Sequence, residues 1–388
     1  MTARLAAFDH LLAISDDAGT FEHAEGRTPR PEHGYCTDDM ARVLIVVCRE
    51  PDPDRDVALL GRTAFRFLTA AQGVTGAVRN RRAVGGRWRG RRGVEDCWGR
   101  SVWAFGTAAN RAPESWMRES ALSYFERSAA LRSPWPRAMA FAALGAAEVL
   151  AVVPGHRGAR DLLADVVTTI GSPGPDAGWP WPEPRLAYAN AVLAEALIVA
   201  GDGLGRPHVL ETGLTMLRWL LDRESSNGHL SPTPVGGAGP ADATGGFDQQ
   251  PIEVAAVADA CTRAATVTGD GAWVRGVDLA VRWFAGENDI GEPMFDPTSG
   301  GGCDGLHDDR ANRNEGAEST IALISTLQHA RRLGTEPSEA VLPSRICGRC
   351  RQLFDGDPSL HPLALAEWWA CPACRVALGI DQPKVAAR

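Results

Sequence analysis

Residues 133–153 read Ser-Pro-Trp-Pro-Arg-Ala-Met-Ala-Phe-Ala-Ala-Leu-Gly-Ala-Ala-Glu-Val-Leu-Ala-Val-Val. From Ala138 onward only Glu148 interrupts the apolar run. A helix that is apolar on every side belongs inside a protein. Leu186–Ala200 has the same character, whereas Arg55–Ala71 is apolar on one face and charged on the other. This contrast repeats along residues 1–333. Helical spacing of apolar residues predicts twelve helices, at about 2–15, 37–50, 55–71, 95–109, 114–131, 134–152, 156–170, 185–200, 206–223, 249–268, 271–285 and 313–333. Odd-numbered helices are amphipathic and even-numbered ones are apolar nearly all round. Six buried helices alternating with six amphipathic ones predict an all-α fold, an (α/α)6 toroid of six helical hairpins with an inner and an outer ring.

Polar clusters sit before or at the start of each even-numbered helix. They are His33–Asp39, Glu95–Arg100, Ser133–Arg137, Tyr188–Asn190, Phe247–Pro251 and Asn312–Glu318, about 55 residues apart on average. In a hairpin toroid the inner-helix N-termini converge at one end, so these clusters would line one funnel. Helix capping explains one Ser, Thr, Asp or Asn per start, and Pro134 suits a first turn. It does not explain Trp, Tyr, Gln and paired carboxylates at six starts and not at the other six. Loops such as Ser225–Gly246 and Asn288–Asp309 are long for a simple bundle, and long ordered loops tend to be functional.

The stretches Gly19–Ala24, Gly34–Arg42, Glu95–Arg100, Tyr188–Ala191, Phe247–Pro251 and Asn312–Thr320 together resemble the six-hairpin (α/α)6-barrel glycosidase-like superfamily. More narrowly, they resemble a bacterial group found beside, or fused to, glycosyltransferases. The resemblance spans about residues 19–333 and implies carbohydrate chemistry on an oligosaccharide or glycoside, without specifying the reaction.

Glycoside cleavage needs one carboxyl group as acid and another as base or nucleophile. The funnel would supply Asp38, Asp39, Glu95, Asp96, Asp248, Glu315 and Glu318. Sugar rings pack on flat aromatic faces, and Tyr35, Trp98, Trp135, Trp179, Trp181 and Tyr188 lie in or near the clusters. His33, Arg42, Arg100, Asn190, Gln249, Gln250, Asn312 and Asn314 complete the substrate-binding candidates. Asp38 stands four residues before Arg42, and Asp96 four before Arg100, a spacing that allows ion pairs on one helix face. Such partners keep a carboxylate ionised, as a base requires. Asp39 and Glu95 have none at that spacing and are the acid candidates.

Arg79–Arg92 holds seven Arg and Trp88. Three readings stay open: a solvated loop, a nucleic-acid contact, and an anion clamp beside the funnel for a phosphorylated or acidic sugar. The clamp would make a phosphorylase as plausible as a hydrolase.

Beyond residue 333 the pattern changes. A linker at 334–345 precedes Cys347-Gly348-Arg349-Cys350 and Cys371-Pro372-Ala373-Cys374, with twenty residues between the two pairs. Four thiolates in two such pairs select a closed, structural zinc, giving a zinc ribbon over 346–380. The ribbon also offers a surface for a protein partner. The scattered Cys36, Cys48, Cys97, Cys261 and Cys303 read as small core residues.

Composition narrows the function classes. The chain has 388 residues, is 44% hydrophobic and carries a net charge of −8, which argues against nucleic acid as the partner. Lys384 is the only lysine among 40 Lys and Arg residues. A P-loop, a Schiff-base site and a kinase site each need a lysine in the packed fold, and none is available. Met1–Asp17 is charged and lacks a long apolar run, and no stretch reads as a membrane span, so a cytoplasmic location without membrane contact is expected. Three alternatives remain. Thr37–Ala41 faintly echoes the acid motif of toroidal terpene cyclases. His33, His229 and His307 in candidate funnel loops would suit a sugar 2-epimerase. A non-catalytic sugar-binding or scaffold module is the third.

Overall fold

The computed structural model describes residues 7–334, 345–346, 349–350, 353–354 and 371–377. Between Ala7 and Leu333 lie twelve α-helices: α1 (Ala7–Ala13), α2 (Thr37–Arg49), α3 (Arg55–Ala71), α4 (Asp96–Arg111), α5 (Ser115–Ala129), α6 (Pro136–Val152), α7 (Arg157–Ile170), α8 (Ala191–Leu204), α9 (Pro207–Arg223), α10 (Pro251–Thr268), α11 (Val274–Phe284) and α12 (Ala317–Leu333). Each even-numbered helix packs on the next, and α12 packs back on α2. The odd-numbered helices lie outside: α3 on α2, α5 on α4 and α6, α7 on α6 and α8, α9 on α8 and α10, α11 on α10 and α12, and α1 on α12. The fold is the expected (α/α)6 toroid.

Burial follows the sequence pattern. In α6, Arg137–Ala146 are all buried, while α3 buries only a stripe that includes Val57, Leu60, Ala64 and Leu68. The α4–α6 crossing is the tightest point of the ring. A Cβ on Gly106 would stand 2.2 Å from the Gly145 carbonyl oxygen, so only glycine lets the two backbones approach this closely. Asp54 caps α3 by accepting from the amides of Asp56 and Val57, both at 3.0 Å.

The two ends of the ring differ. Connections from inner to outer helices are short, as at 50–54 and 153–156. Most connections from outer to inner helices are long, including 14–36, 72–95, 171–190, 224–250 and 285–316. These long loops carry two-residue antiparallel ladders. The largest joins Tyr35–Cys36 to Arg81–Arg82 and then to Trp88–Arg89. The toroid therefore builds its elaborate surface at the N-terminal ends of the inner helices.

Some helix limits shift from expectation. Residues 2–6 of the first expected helix lie outside the described residues. Helix α8 starts at Ala191 rather than 185, because Leu186 exchanges backbone hydrogen bonds with Ala238 and Asn190 Oδ1 accepts from the Ala187 amide. Helix α12 starts at Ala317 rather than 313, because Ala311–Asn312 pairs with Gly305–Leu306. Gly271–Trp273 forms a 3-10 turn ahead of α11. No helix of the described residues is long and apolar enough to cross a membrane. Beyond the ring, Arg345–Ile346 pairs with Leu353–Phe354, and Pro372–Ala377 is a short helix.

Candidate active site

Five of the six polar clusters line one cavity of about 500 Å³ at the N-terminal end of the inner ring. Cys36, Asp38 and Asp39 come from the start of α2, and Asp96 and Arg100 from α4. Tyr188, Gln250, Asn312 and Glu318 come from the approaches to α8, α10 and α12. The remaining cluster acts from behind. Arg137, at the start of α6, lies 4.8 Å over the Tyr188 ring and also binds the Tyr188 carbonyl, Glu183 and Asn190.

Two arginines organise the floor. Arg42 reaches Asp39 at 3.1 Å and Glu318 at 2.8 Å. Arg100 reaches across from α4 to Asp38 on α2 at 3.4 Å. Asp96 instead accepts the Tyr188 hydroxyl at 2.6 Å. The expected same-helix pairs Asp38–Arg42 and Asp96–Arg100 thus do not form. The inner helices lie side by side, and first-turn carboxylates find partners across the ring. Asp38 Oδ1 and Arg100 Nε, the two ends of that ion pair, are buried and make no well-formed hydrogen bond, and Arg42 Nε is buried with no hydrogen-bond partner among the described residues. Polar atoms left in that state at a cavity floor are ready to bind a polar ligand.

The carboxylates divide electrostatically. Asp39 is almost fully buried, and burial raises its pKa despite the opposing charge of Arg42. Glu318 opens onto the cavity, its side chain 43% exposed. Burial within the funnel walls opposes its charge, but Arg42 and Arg100 prevail and hold it below the usual range. Burial also keeps the Cys36 thiol protonated, and it donates to Asp39 at 2.9 Å. Two carboxyl groups whose pKa values are pushed in opposite directions therefore share Arg42.

The other sequence candidates are dispersed. Glu95 faces a neighbouring pocket together with Asp38 and Asp96. Asp248 bonds to His307 at 2.6 Å, two residues from Gln250. Glu315 lies outside the cavity lining, buried between His10 at 3.4 Å and the Ser299 hydroxyl at 2.5 Å, and burial pushes it up to about 7. Trp98 is fully buried and its Nε1 donates to the Ser128 carbonyl, tying α4 to α5. Tyr35 is fully buried beside Phe21, with its hydroxyl on Asp16. Gln249 is buried against Asp289 and Trp283, and Asn190 against Arg137 and Glu253. Asn314 Oδ1 accepts from the Gly26 amide. Trp135 is exposed, and His33 packs edge-on against His23.

Glu22, His23, Arg81, Asp304 and Ser319 also line the cavity. None is a site candidate of the sequence reading, although Glu22, His23 and Ser319 fall in the stretches that carry the resemblance and Arg81 in the arginine-rich segment. Glu22 is ion-paired with Arg81. Asp304 accepts from the Gly316 amide and the Ser319 hydroxyl, at 2.9 and 2.7 Å. Glu22 and Asp304 lie well upstream of the helix starts: loop length was the available signal for Asp304, in Asn288–Asp309, and the Gly19–Ala24 stretch was the signal for Glu22.

Of the expected zinc ligands, Cys350, Cys371 and Cys374 lie together, their sulfurs all within 4.8 Å of one another. Cys347 lies outside the described residues. The Cys350–Cys371 sulfur separation is 3.7 Å. Sulfurs about 2.3 Å from a tetrahedral zinc stand about 3.8 Å apart, so the donor set fits such an ion.

No protein-family model matches the sequence, and no curated protein matches it. The fold does match solved structures. One is a sugar epimerase from a ruminal bacterium, with 12% identity and a TM-score of 0.64, covering 85% of this chain and 96% of that one. Another is a D-mannose isomerase, with 9% identity and a TM-score of 0.62, covering 84% and 96%. A third is an inactive variant of alpha-1,6-mannanase GH76A of a Salegentibacter species, with two consecutive aspartates replaced by asparagine, in complex with alpha-1,6-mannotriose. It has 10% identity and a TM-score of 0.56, covering 84% and 98%. At these identities the likeness establishes the shared six-hairpin (α/α)6 fold.

Proposed function

We propose that the protein is a carbohydrate-active enzyme that cleaves a glycoside, by hydrolysis or phosphorolysis, through its funnel carboxylates. The observation that carries this reading is the gathering of Asp38, Asp39, Asp96 and Glu318 around Arg42 and Arg100 in one open cavity. Asp39, with its raised pKa, suits the proton donor. Asp38 and Asp96, on neighbouring helices, are the candidates for base or nucleophile. Glu318, Arg42, Gln250 and Asn312 would orient sugar hydroxyls, with the half-exposed Tyr188 ring as a platform. Glu95, Asp248 and Glu315 form the second rank of acidic candidates. The mannanase relative holds an oligosaccharide and is inactive without two consecutive aspartates, and this chain presents the consecutive pairs Asp38-Asp39 and Glu95-Asp96.

His23 in the cavity wall, with the epimerase and isomerase relatives, supports sugar 2-epimerisation as the second reading. One experiment separates the two. The full chain is incubated with gluco- and manno-oligosaccharides, with and without phosphate, and the products are resolved. Shorter sugars or sugar phosphates, lost on Asp39→Asn, support cleavage. An unchanged chain length with an epimerised reducing end supports the second reading. Binding without turnover of any sugar overturns both.

We further propose that Cys347 completes a zinc site with Cys350, Cys371 and Cys374 in a separate ribbon over 346–380, joined to the 1–333 toroid by 334–345. The thiolate-only donor set closes the metal, so its role is structural. A ribbon of this kind suits contact with a protein partner, and the scattered buried cysteines suit the cytoplasm.

A further inference from the structure

The arginine-rich loop builds a second pocket against the funnel. It has a volume of about 310 Å³ and shares Asp38, Arg81 and Asp96 with the funnel wall. Its own walls are Asn80, Arg89, Arg91 and Glu95, with Gly90 between the two arginines. Gly90 has φ of 73°, which turns the chain sharply out of the ladder.

The charges in this pocket are unusual. Arg81 stands directly opposite Arg89 across the ladder. Like charges in that register repel and are destabilising. Arg82, on the other face, is absorbed by the Phe67 and Trp88 rings, each within 5.7 Å. Arg81 is neutralised by Glu22. Arg89 and Arg91 have no such partner among the described residues, although Glu95 and Asp96 line the same pocket. Asp96 is engaged by Tyr188, and Asp38 by Arg100. The Glu95 carboxylate lies over Gly93, where a Cβ would stand 2.0 Å from its Oε2. Two cations and a carboxylate thus face one space without closing it by an ion pair.

We infer that this pocket is an oxyanion subsite of the funnel, in which Arg89 and Arg91 hold a phosphate or carboxylate group while Glu95 and Asp38 accept hydroxyls from the sugar beside it. The inference rests on the proposed carbohydrate site and names its substrate class: an acidic sugar, or a neutral glycoside met by free phosphate. Guanidinium groups suit this work because their forked donors match the oxygens of phosphate and carboxylate. A ligand with anionic oxygens at one end and hydroxyls at the other satisfies both walls of the pocket.

The test is calorimetric titration of the full chain with glucose 6-phosphate, glucuronate, inorganic phosphate and glucose. The oxyanion ligands should bind at least about tenfold more tightly than glucose, with an advantage that shrinks as salt rises. The double variant Arg89→Gln, Arg91→Gln should erase that advantage. Arg87→Gln removes one charge from the hairpin turn, outside the pocket, and should keep it, whereas the single variants Arg89→Gln and Arg91→Gln should each lose part of it. Tighter binding of the acidic sugars than of phosphate would identify the group as sugar-borne. Arginine-dependent binding of phosphate alone would identify free phosphate. Equal affinity for glucose and all three anions, or an advantage that survives in the double variant, overturns the subsite. Oligosaccharide cleavage without arginine dependence would leave the enzyme reading intact and remove only the subsite. Arginine-dependent anion binding in a protein that cleaves no glycoside would do the reverse.

Discussion

At the scale of single residues, the site depends on how two arginines apportion their charge. Arg42 stabilises the ionised form of both Asp39 and Glu318, yet only Asp39 is almost closed off from solvent. Burial raises Asp39, which is why it is proposed as the proton donor. An acid must be protonated to act, so turnover should fall as pH rises through the Asp39 pKa. Asp39→Asn should lower kcat by roughly a hundredfold or more and remove that alkaline limb. An unchanged pH–rate profile in the variant would move the acid role elsewhere. Tyr188 offers a finer test. Its hydroxyl holds Asp96 while its ring rests on Arg137. Tyr188→Phe keeps the stack and removes the bond. A hydrogen bond of this kind contributes about 1.5–3 kcal/mol to stability, so Tm should fall by a few degrees, and about a tenfold or larger loss in kcat/KM is expected where the bond also positions Asp96 for substrate.

At the scale of elements, the alternation of apolar and amphipathic helices was legible, because a ring buries one kind of helix on every side and the other on one face. Helix starts were less legible where a loop partner competes, as Ala238 does for Leu186. The candidate site was legible as a set of clusters but not residue by residue. Trp98 and Tyr35 carry the composition of sugar platforms, yet their rings fill the core, and nothing in their neighbours' identity reveals the direction of a side chain. Arg100 has a suitable partner four residues earlier but bonds to another helix, a contact only the closed ring creates. Glu148 makes the same point. It interrupts an apolar helix, and the structure buries it under Arg111 at 2.9 Å and Arg263 at 3.4 Å. Burial alone would raise it, but the two arginines hold it at about 2. Its unfolded value is 4.5, so its contribution is complete above that pH and is lost as pH falls toward 2. Glu148→Gln strips Arg111 of its ion pair and leaves Arg263 with Glu195 alone, at 3.6 Å. The variant should lose about 3–5 kcal/mol in urea denaturation at pH 7, and the loss should shrink in acid. A loss below about 0.5 kcal/mol at pH 7 would show the network to be dispensable.

At the scale of the whole molecule, the ring closes before the paired cysteines at 347–374 begin. Helix α12 returns to both α2 and α1, and the inner ring is complete by Leu333. The cavity and the arginine pocket likewise draw all their residues from 22–319. Among the described residues, the toroid's helix packing and its cavity draw on none of the C-terminal cysteines. The proposed ribbon would have the opposite balance, since a unit of about 40 residues has little core and depends on a staple. The two should separate experimentally. Purified protein should contain one zinc per chain, released by a thiol-reactive mercurial and monitored with a chromogenic chelator. Cys374→Ser should abolish stoichiometric zinc. Deleting residues 341–388 should remove the zinc and leave the toroid's helical circular dichroism and main thermal transition within a few degrees of the full chain. Zinc retained after the deletion would overturn the ligand assignment. Collapse of the toroid transition on zinc removal alone would show that the metal unit, rather than the α12–α2 closure, completes the fold.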